Sequence, residues 1–199
     1  MVYEGSPVHH LPDLASFIAT NLGANMRCLY LNSPAMVAGL RSYLAAAGVN
    51  VAAEVKKNSL VLSSRQDHLV DGLFHVERML RFLDTAIQDA LRDGYQGFLA
   101  VGDMTWEFGP ERNFEKLLEY ERAIDKLFQN APFTGICQYH VDTLPPEAVG
   151  QGLCAHQTIY LKEKQIRKNA YFLPSDFMGG ATPAISARQL SDMLDNLIR

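Results

Sequence analysis

The segment Gly97-Phe98-Leu99-Ala100-Val101-Gly102-Asp103-Met104-Thr105-Trp106-Glu107 carries the densest run of groups able to do chemistry. An apolar stretch ends abruptly in an acid, a hydroxyl, an indole and a second acid. That is the pattern of a buried central strand of an α/β sheet, which delivers polar groups at its carboxyl end, where ligands bind in such folds. The Asp103 carboxylate suits a ligand, a metal ion or a water, and equally suits the cap of the turn that follows. Trp106, the only tryptophan, offers a face for a planar or apolar ligand, or a lid for the core beneath its loop. Glu107 is expected in solvent unless the loop folds over the pocket. Glu121 stands apart, because Phe114, Leu117, Ile124 and Phe128 recur at helical spacing and Glu121 lies on the same face. A carboxylate there must be paired, for example with an arginine, or must face a polar cavity.

The remaining reactive side chains form no recognisable catalytic or metal-binding spacing. His9 and His10 are adjacent and diverge on either a helix or a strand; His68 and His75 flank a loop-to-helix boundary, and His140 and His156 stand alone. Neither H-E-x-x-H nor C-x-x-C occurs, so no metal is expected. Cys137 with His140 or His156 could make a cysteine nucleophile and its base. However, Cys137 falls inside a strand, without the helix N-terminus that would lower its pKa. The loop Gly5-Ser-Pro-Val-His-His-Leu-Pro-Asp-Leu14, placed where a nucleotide loop would be, has no G-x-x-x-x-G-K-[ST] and no lysine. Pro7 and Pro12 each remove a backbone donor that an anion nest would use. Walker-type ATP binding is therefore not expected, and no cofactor is assigned.

These residues need a scaffold, and the chain alternates strand-like and helix-like segments. Strands are expected at Met1 to Glu4, Arg27 to Leu31, Leu60 to Leu62, Phe98 to Val101 and Phe133 to Tyr139, with a last one at Thr158 to Leu161. Between them, helices run from near Pro12 through Leu22, from Ser33-Pro34 to Gly48, and along Val76 to Leu91, ending at Gly94. Asn113 to Gln129 and Pro145 to Ala155 follow the same pattern, and residues 63–73 are read as a polar connection. The alternation implies a three-layer α/β domain with a mainly parallel sheet and helices on both faces. After about Lys162 the pattern decays into a loop with Pro174 and Gly179-Gly180. Ser186-Ala-Arg-Gln189 then has capping-box spacing and opens a helix with Leu190, Met193, Leu194 and Leu197 on one side. That helix either packs back on the domain or begins a connector, so the chain divides into residues 1–175 and 176–199.

In this arrangement the strand ends collect Gly5 to His10, Asn32-Ser33, Ser63 to Gln66, Asp103 to Glu107 and Gln138 to His140, enough to line a mixed polar and aromatic pocket. The 199 residues suit one domain, with 48% hydrophobic and 20% charged residues and a formal net charge of -4. That balance gives no reason to expect direct nucleic-acid binding. No run approaches the roughly 20 apolar residues of a membrane span, and no signal peptide is evident. Three widely spaced cysteines, Cys28, Cys137 and Cys154, read as reduced thiols of a cytoplasmic protein.

The ordered elements Cys28-Leu-Tyr-Leu31, Gly94-Tyr95 leading into Val101-Gly-Asp-Met-Thr-Trp106, Leu118-Glu-Tyr-Glu121 and Cys137-Gln-Tyr139 resemble the MEDS domain, the methanogen/methylotroph DcmR-type sensory domain. The resemblance spans roughly residues 1–175. It implies a RecA/KaiC-like fold that has lost its phosphate loop, in agreement with the missing Walker lysine. It also implies a sensor of small organic ligands, found in signalling proteins with histidine-kinase, PAS or DNA-binding regions or near anti-sigma systems. By position, Asp103, Met104, Thr105 and Trp106 occupy the signature motif, Glu121 the acid of the Tyr-Glu element, and Cys137 and Tyr139 the C-x-Y element. Asp103 stands where the family usually has glutamate, and His75 follows Gly72-Leu-Phe74 where the family tends to have aspartate.

The resulting expectation is a non-catalytic sensory domain. Its ligand site comprises His10, Asp103, Thr105, Trp106, Glu107, Glu121, Gln138 and Tyr139, beyond the carboxyl ends of the strands. The alternatives are a hydrolase or degenerate ATPase using Asp103 and Glu121 with a histidine, and a protein-interaction module with a vestigial pocket.

Overall fold

The computed structural model describes residues 1–109, 114–160, 166–174 and 184–198. The first half runs β1 (Val2–Tyr3), a 3-10 turn (Pro7–His10), α1 (Leu11–Gly23), β2 (Met26–Leu31), α2 (Pro34–Ala46), α3 (Val51–Lys56) and β3 (Leu60–Ser63). Next come β4 (Leu69–Val70), β5 (Leu73–Phe74), α4 (Val76–Arg92), β6 (Gly97–Asp103) and α5 (Met104–Glu107). The chain continues through α6 (Glu115–Phe128), β7 (Phe133–His140), α7 (Pro146–Ala155), β8 (Thr158–Tyr160), β9 (Ile166–Lys168) and α8 (Ala187–Ile198). The central sheet has five strands in the order β1-β7-β6-β2-β3, and every neighbouring pair is parallel.

Burial on both faces explains why β2 and β6 are continuous apolar runs. Successive side chains along a strand point to opposite faces, and two separate cores follow from that. On one side, Leu11, Leu14 and Ile18 of α1 and Leu40 and Leu44 of α2 pack over Cys28, Tyr30, Leu99, Val101 and Ile136. On the other, α4, α6, α7 and α8 bring Met79, Leu83, Leu117, Phe128, Leu153 and Leu190 over Leu29, Leu31, Phe98, Cys137 and Tyr139. The domain is thus a three-layer α/β structure. At the base of the sheet, Arg27 is buried, pairs with Asp93 at 2.5 Å and lies 4.6 Å from the Tyr95 ring centroid, tying the end of α4 to β2. Among the described residues, no helix is long and apolar enough to cross a membrane.

Local signals in the sequence set several element ends. Ser33 caps α2 by accepting the Met36 N–H at 3.4 Å, with Pro34 in the first turn. The Ser186–Gln189 capping box forms as its spacing predicts: Ser186 Oγ accepts the Gln189 N–H at 3.3 Å, and Gln189 Oε1 accepts the Ser186 N–H at 2.9 Å. The helix it opens packs back on the domain, with Leu190 and Leu197 buried and Met193 and Leu194 against the same core as α7.

Other elements depart from the pattern. Residues 63–73 contain the antiparallel β4–β5 pair, closed by Asp71 and Gly72 at φ 51° and 80°. Strands of two residues are too short to show a period, although the Asp-Gly turn carries the hairpin signal. α3 is a single short helix in the segment after Gly48. β8 forms, but pairs antiparallel with β9 away from the central sheet. An apolar run does not say which edge it will meet. Asn113, where a helix start is expected, and Gly179-Gly180 lie outside the described residues.

Gly152 of α7 has no room for a side chain, because a Cβ there would run into the Tyr139 ring on β7. Gly23, at the end of α1, has open space around it. Gly152→Ala is expected to destabilise the fold by about 1–3 kcal/mol through overpacking, while Gly23→Ala stays within about 1 kcal/mol of wild type. Urea denaturation of the two variants checks this, and equal effects at both positions would refute the close packing of α7 on β7.

Candidate functional site

The alternation of β6 and β7 distributes the strand-end residues over two faces of the sheet. Asp103 and Gln138 share the parity of Leu99, Val101 and Ile136 and so face α1 and α2. Gly102, Cys137 and Tyr139 share that of Phe98 and Ala100 and face α4, α6 and α7. The expected single pocket is consequently two sites, one on each side.

On the α1 side, a groove of about 470 Å³ is lined by Tyr3, Asn32, Ser33, Gln66, Asp103, Thr105, Trp106, His140 and Thr143, among others. Its polar groups are largely committed to one another. Asp103 Oδ1 accepts the Trp106 N–H at 2.9 Å and so caps α5, and Oδ2 accepts the Tyr3 hydroxyl at 2.9 Å. Burial pushes the Asp103 carboxyl upward against the pull of these two donors. Burial and the adjacent Asp103 push the Tyr3 hydroxyl up as well, so it stays protonated and remains a donor. The Tyr3 ring lies 4.6 Å from that of His10 and stacks on His140 at 4.8 Å. Thr105 and Thr143 hydroxyls meet at 3.3 Å, and Gln66 Nε2 donates to the Trp106 carbonyl at 3.1 Å. His10 and Gln138 are both buried, and Gln138 Oε1 has no hydrogen-bond partner.

On the other side lies a cavity of about 410 Å³ between the sheet and α4 and α6, reaching the turn after α7. Leu29, Leu31, Leu83, Ile124, Phe128 and Phe133 form its apolar walls, Glu107, Glu121, Cys137 and His156 are polar groups within it, and Asp125, Gln129, Gln157 and Thr158 add further polar lining. Glu107 is not in solvent: the single turn of α5 folds it inward to 3% exposure. Its carboxylate lies over the Cα of Gly102, where any Cβ would overlap Oε1. Glu107 Oε2 is buried without a hydrogen-bond partner. Burial, followed by the charges of Asp103 and Glu121, raises its carboxyl well above the ordinary value. The loop behind it is held by His68, whose Nε2–H donates to the Glu107 carbonyl at 2.7 Å; burial lowers the His68 pKa, favouring this neutral donor form.

Glu121, the acid on the apolar face of α6, is buried, and its partners are not arginines. The Tyr139 hydroxyl donates to Oε1 in a short hydrogen bond. Around Oε2, the Cys137 thiol donates at 3.6 Å and His156 Nε2 lies at 3.5 Å. His156 Nδ1 is 2.6 Å from the Gly152 carbonyl, which can only accept, so Nδ1 carries a proton. Burial pushes the Cys137 thiol well up, and the neighbouring Glu121 and Glu107 charges reinforce the shift. A thiol held protonated is not an activated nucleophile.

Of the residues singled out in the sequence, Asp103, Thr105 and Trp106 line the groove, and His10 sits behind Tyr3. Glu107 and Glu121 line the cavity, and Tyr139 supports Glu121 from β7. Gln138 touches neither lining and contacts Met1 Sδ at 3.9 Å. His156 is the residue that sequence spacing does not place. It reaches Cys137 and Glu121 only because α7 turns back after Ala155, whereas His140 points to the groove.

A raised Glu107 pKa means that the folded state keeps a proton which the unfolded chain releases near 4.5. Stability therefore falls as pH rises above that value toward the folded-state pKa. Glu107→Gln preserves the shape without the titration. Its stability relative to wild type is expected to grow as pH rises above about 4.5 in chemical denaturation, and parallel curves would refute the assignment.

Comparison with known proteins places the chain at the level of the family. The family described as MEDS, MEthanogen/methylotroph, DcmR Sensory domain, matches residues 2–157, which include α5, α6, β7, α7 and the Asp103, Glu107, Glu121, Cys137 and His156 side chains. A search of curated proteins returned no match. The match covers most of the chain, and this protein belongs to the MEDS family of sensory domains.

Proposed function

We propose that this chain is a non-catalytic sensory domain that binds a small, largely apolar organic molecule in the cavity between the sheet and α6. The observation that carries this reading is the cavity itself. Its volume of about 410 Å³ lies within the range of roughly 300–1,000 Å³ for small-molecule sites. Apolar walls with a few convergent polar groups are the composition such sites share. The groove on the α1 side is the second candidate, and it is less suited because its polar groups already have partners: Asp103 with Tyr3 and the Trp106 N–H, Thr105 with Thr143, and Gln66 with the Trp106 carbonyl. The absence of a Walker lysine in the loop after β1 argues against nucleotide hydrolysis. The protonated Cys137 thiol argues against a cysteine hydrolase.

A route for the signal accompanies this site. Ala155 and His156, at the end of α7, line the cavity, and α7 packs against α8 through the same core. Gly150 of α7 sits directly under Ile185, just before α8. A ligand that shifts α7 would move α8, which in turn could engage a histidine-kinase, PAS, DNA-binding or anti-sigma partner. The three cysteines are buried and unpaired, which fits work in a reducing compartment such as the cytoplasm.

Thermal-shift and calorimetric screening against short-chain alcohols, thiols, halocarbons and aromatic hydrocarbons tests the reading. Ligands are expected to raise the Tm of wild type and to lose affinity about tenfold or more in Leu83→Trp, which fills the cavity, while Trp106→Ala binds normally. Binding lost in Trp106→Ala and kept in Leu83→Trp would move the site to the groove. No binder to either would leave the sensory reading without its ligand pocket and overturn it.

A further inference from the structure

The contact between Glu121 and His156 is electrostatically incomplete as built from neutral imidazole. With Nδ1–H committed to the Gly152 carbonyl, a neutral His156 presents the Nε2 lone pair to a carboxylate oxygen 3.5 Å away. Two lone pairs face each other, and only a proton or a cation between them makes the contact attractive. The Cys137 sulfur joins the same oxygen at 3.6 Å. One ligand atom from each of Glu121, Cys137 and His156 lies within 4.8 Å of the others.

The two separations measured from Glu121 Oε2 are those of a coordination sphere, and the third lies within 4.8 Å. Zinc bonds of about 2.3 Å to sulfur and 2.0–2.2 Å to nitrogen and oxygen, at tetrahedral angles, put ligand atoms about 3.4–3.6 Å apart. The separations from Glu121 Oε2 to His156 Nε2 and to Cys137 Sγ, 3.5 and 3.6 Å, match that figure. The outer partners that orient metal ligands are also present: the Gly152 carbonyl on the far nitrogen of His156, and the Tyr139 hydroxyl on the other oxygen of Glu121. Independently, Glu107 lines the same cavity with a buried Oε2 that lacks any hydrogen-bond partner, so the cavity carries an unpartnered polar atom.

We propose that Glu121, Cys137 and His156 form a binding site for a divalent transition-metal ion of the zinc class, with the fourth coordination position open to the cavity. The ion sits between His156 Nε2 and Glu121 Oε2, and the Cys137 thiol releases its proton to solvent on binding. Three protein ligands and one open position are the arrangement of zinc sites that accept an exogenous molecule. A thiol, alcohol or halide group on a small organic molecule is the chemistry such a position takes. The metal site itself rests on the three side chains alone and needs no organic ligand.

Titration of the chelator-treated, reduced protein with cobalt(II), a spectroscopic stand-in for zinc, tests the proposal. One equivalent is expected to bind, with a near-ultraviolet sulfur-to-cobalt charge-transfer band and visible bands of tetrahedral intensity, all displaced by zinc. Cys137→Ser should lose the charge-transfer band, and Cys154→Ser should keep it. Tyr139→Phe should keep the band but bind about 10–100-fold more weakly. His156→Gln, with circular dichroism to confirm its fold, should lose the tetrahedral spectrum. No stoichiometric binding by wild type, or a band that survives Cys137→Ser, overturns the metal site. Either result leaves the organic-ligand screen unaffected, and a failed screen with cobalt bound at Cys137 would overturn only that reading.

Discussion

A carboxylate on the buried face of α6 is the constraint on which the arrangement around the cavity depends. Glu121 cannot be removed from water without compensation, and its partners come from three places in the chain. Tyr139 and Cys137 rise from β7, while His156 follows α7. Satisfying one acid thus locks α6, β7 and α7 together around an apolar space. Gly152 permits the closest approach by leaving room for the Tyr139 ring and by offering its carbonyl to His156. The polar cluster is therefore part of the packing as well as part of the site.

The second acid, Glu107, is held differently. Gly102 lacks the side chain that would occupy the space over the sheet, and α5 turns the chain through a single helical turn capped by Asp103. The signature segment thus serves both faces at once. Asp103 closes the turn and binds Tyr3 on the α1 side, and the turn it closes delivers Glu107 to the opposite side. A glutamate at this position would carry its carboxyl farther from the backbone. The shorter Asp103 side chain meets the Trp106 N–H at 2.9 Å, the geometry of a helix cap.

Much of the scaffold was legible because it depends on local periodicity. The apolar runs of β2, β6 and β7, the amphipathic α4 and the Ser186–Gln189 capping box all appear where the sequence pattern puts them. The β4–β5 hairpin showed only in its Asp-Gly turn, since two-residue strands have no readable period, and the displacement of β8 onto β9 was not legible because long-range packing chooses the partner. The site was legible in its members more than in its geometry. Asp103, Trp106 and Glu121 stand out by type and position. The inward turn of Glu107 is a tertiary outcome, because a four-residue helix has no propensity strong enough to announce itself.

The sequence by itself determined an α/β domain, the strand that carries the chemistry, the lack of a phosphate-binding loop, and the need for Glu121 to find a partner. Those conclusions follow from hydrophobic period, residue type and the cost of burying charge, which are properties of neighbouring residues. Only the tertiary structure decided that the strand-end residues separate onto two faces. It also decided that the acid partner is a tyrosine, a thiol and an imidazole, and that a cavity opens beside them. Contacts between residues 16 to 35 positions apart, such as Glu121 with Cys137 and with His156, depend on how a sheet twists and a helix turns back. Nothing in the spacing of the letters encodes that distance.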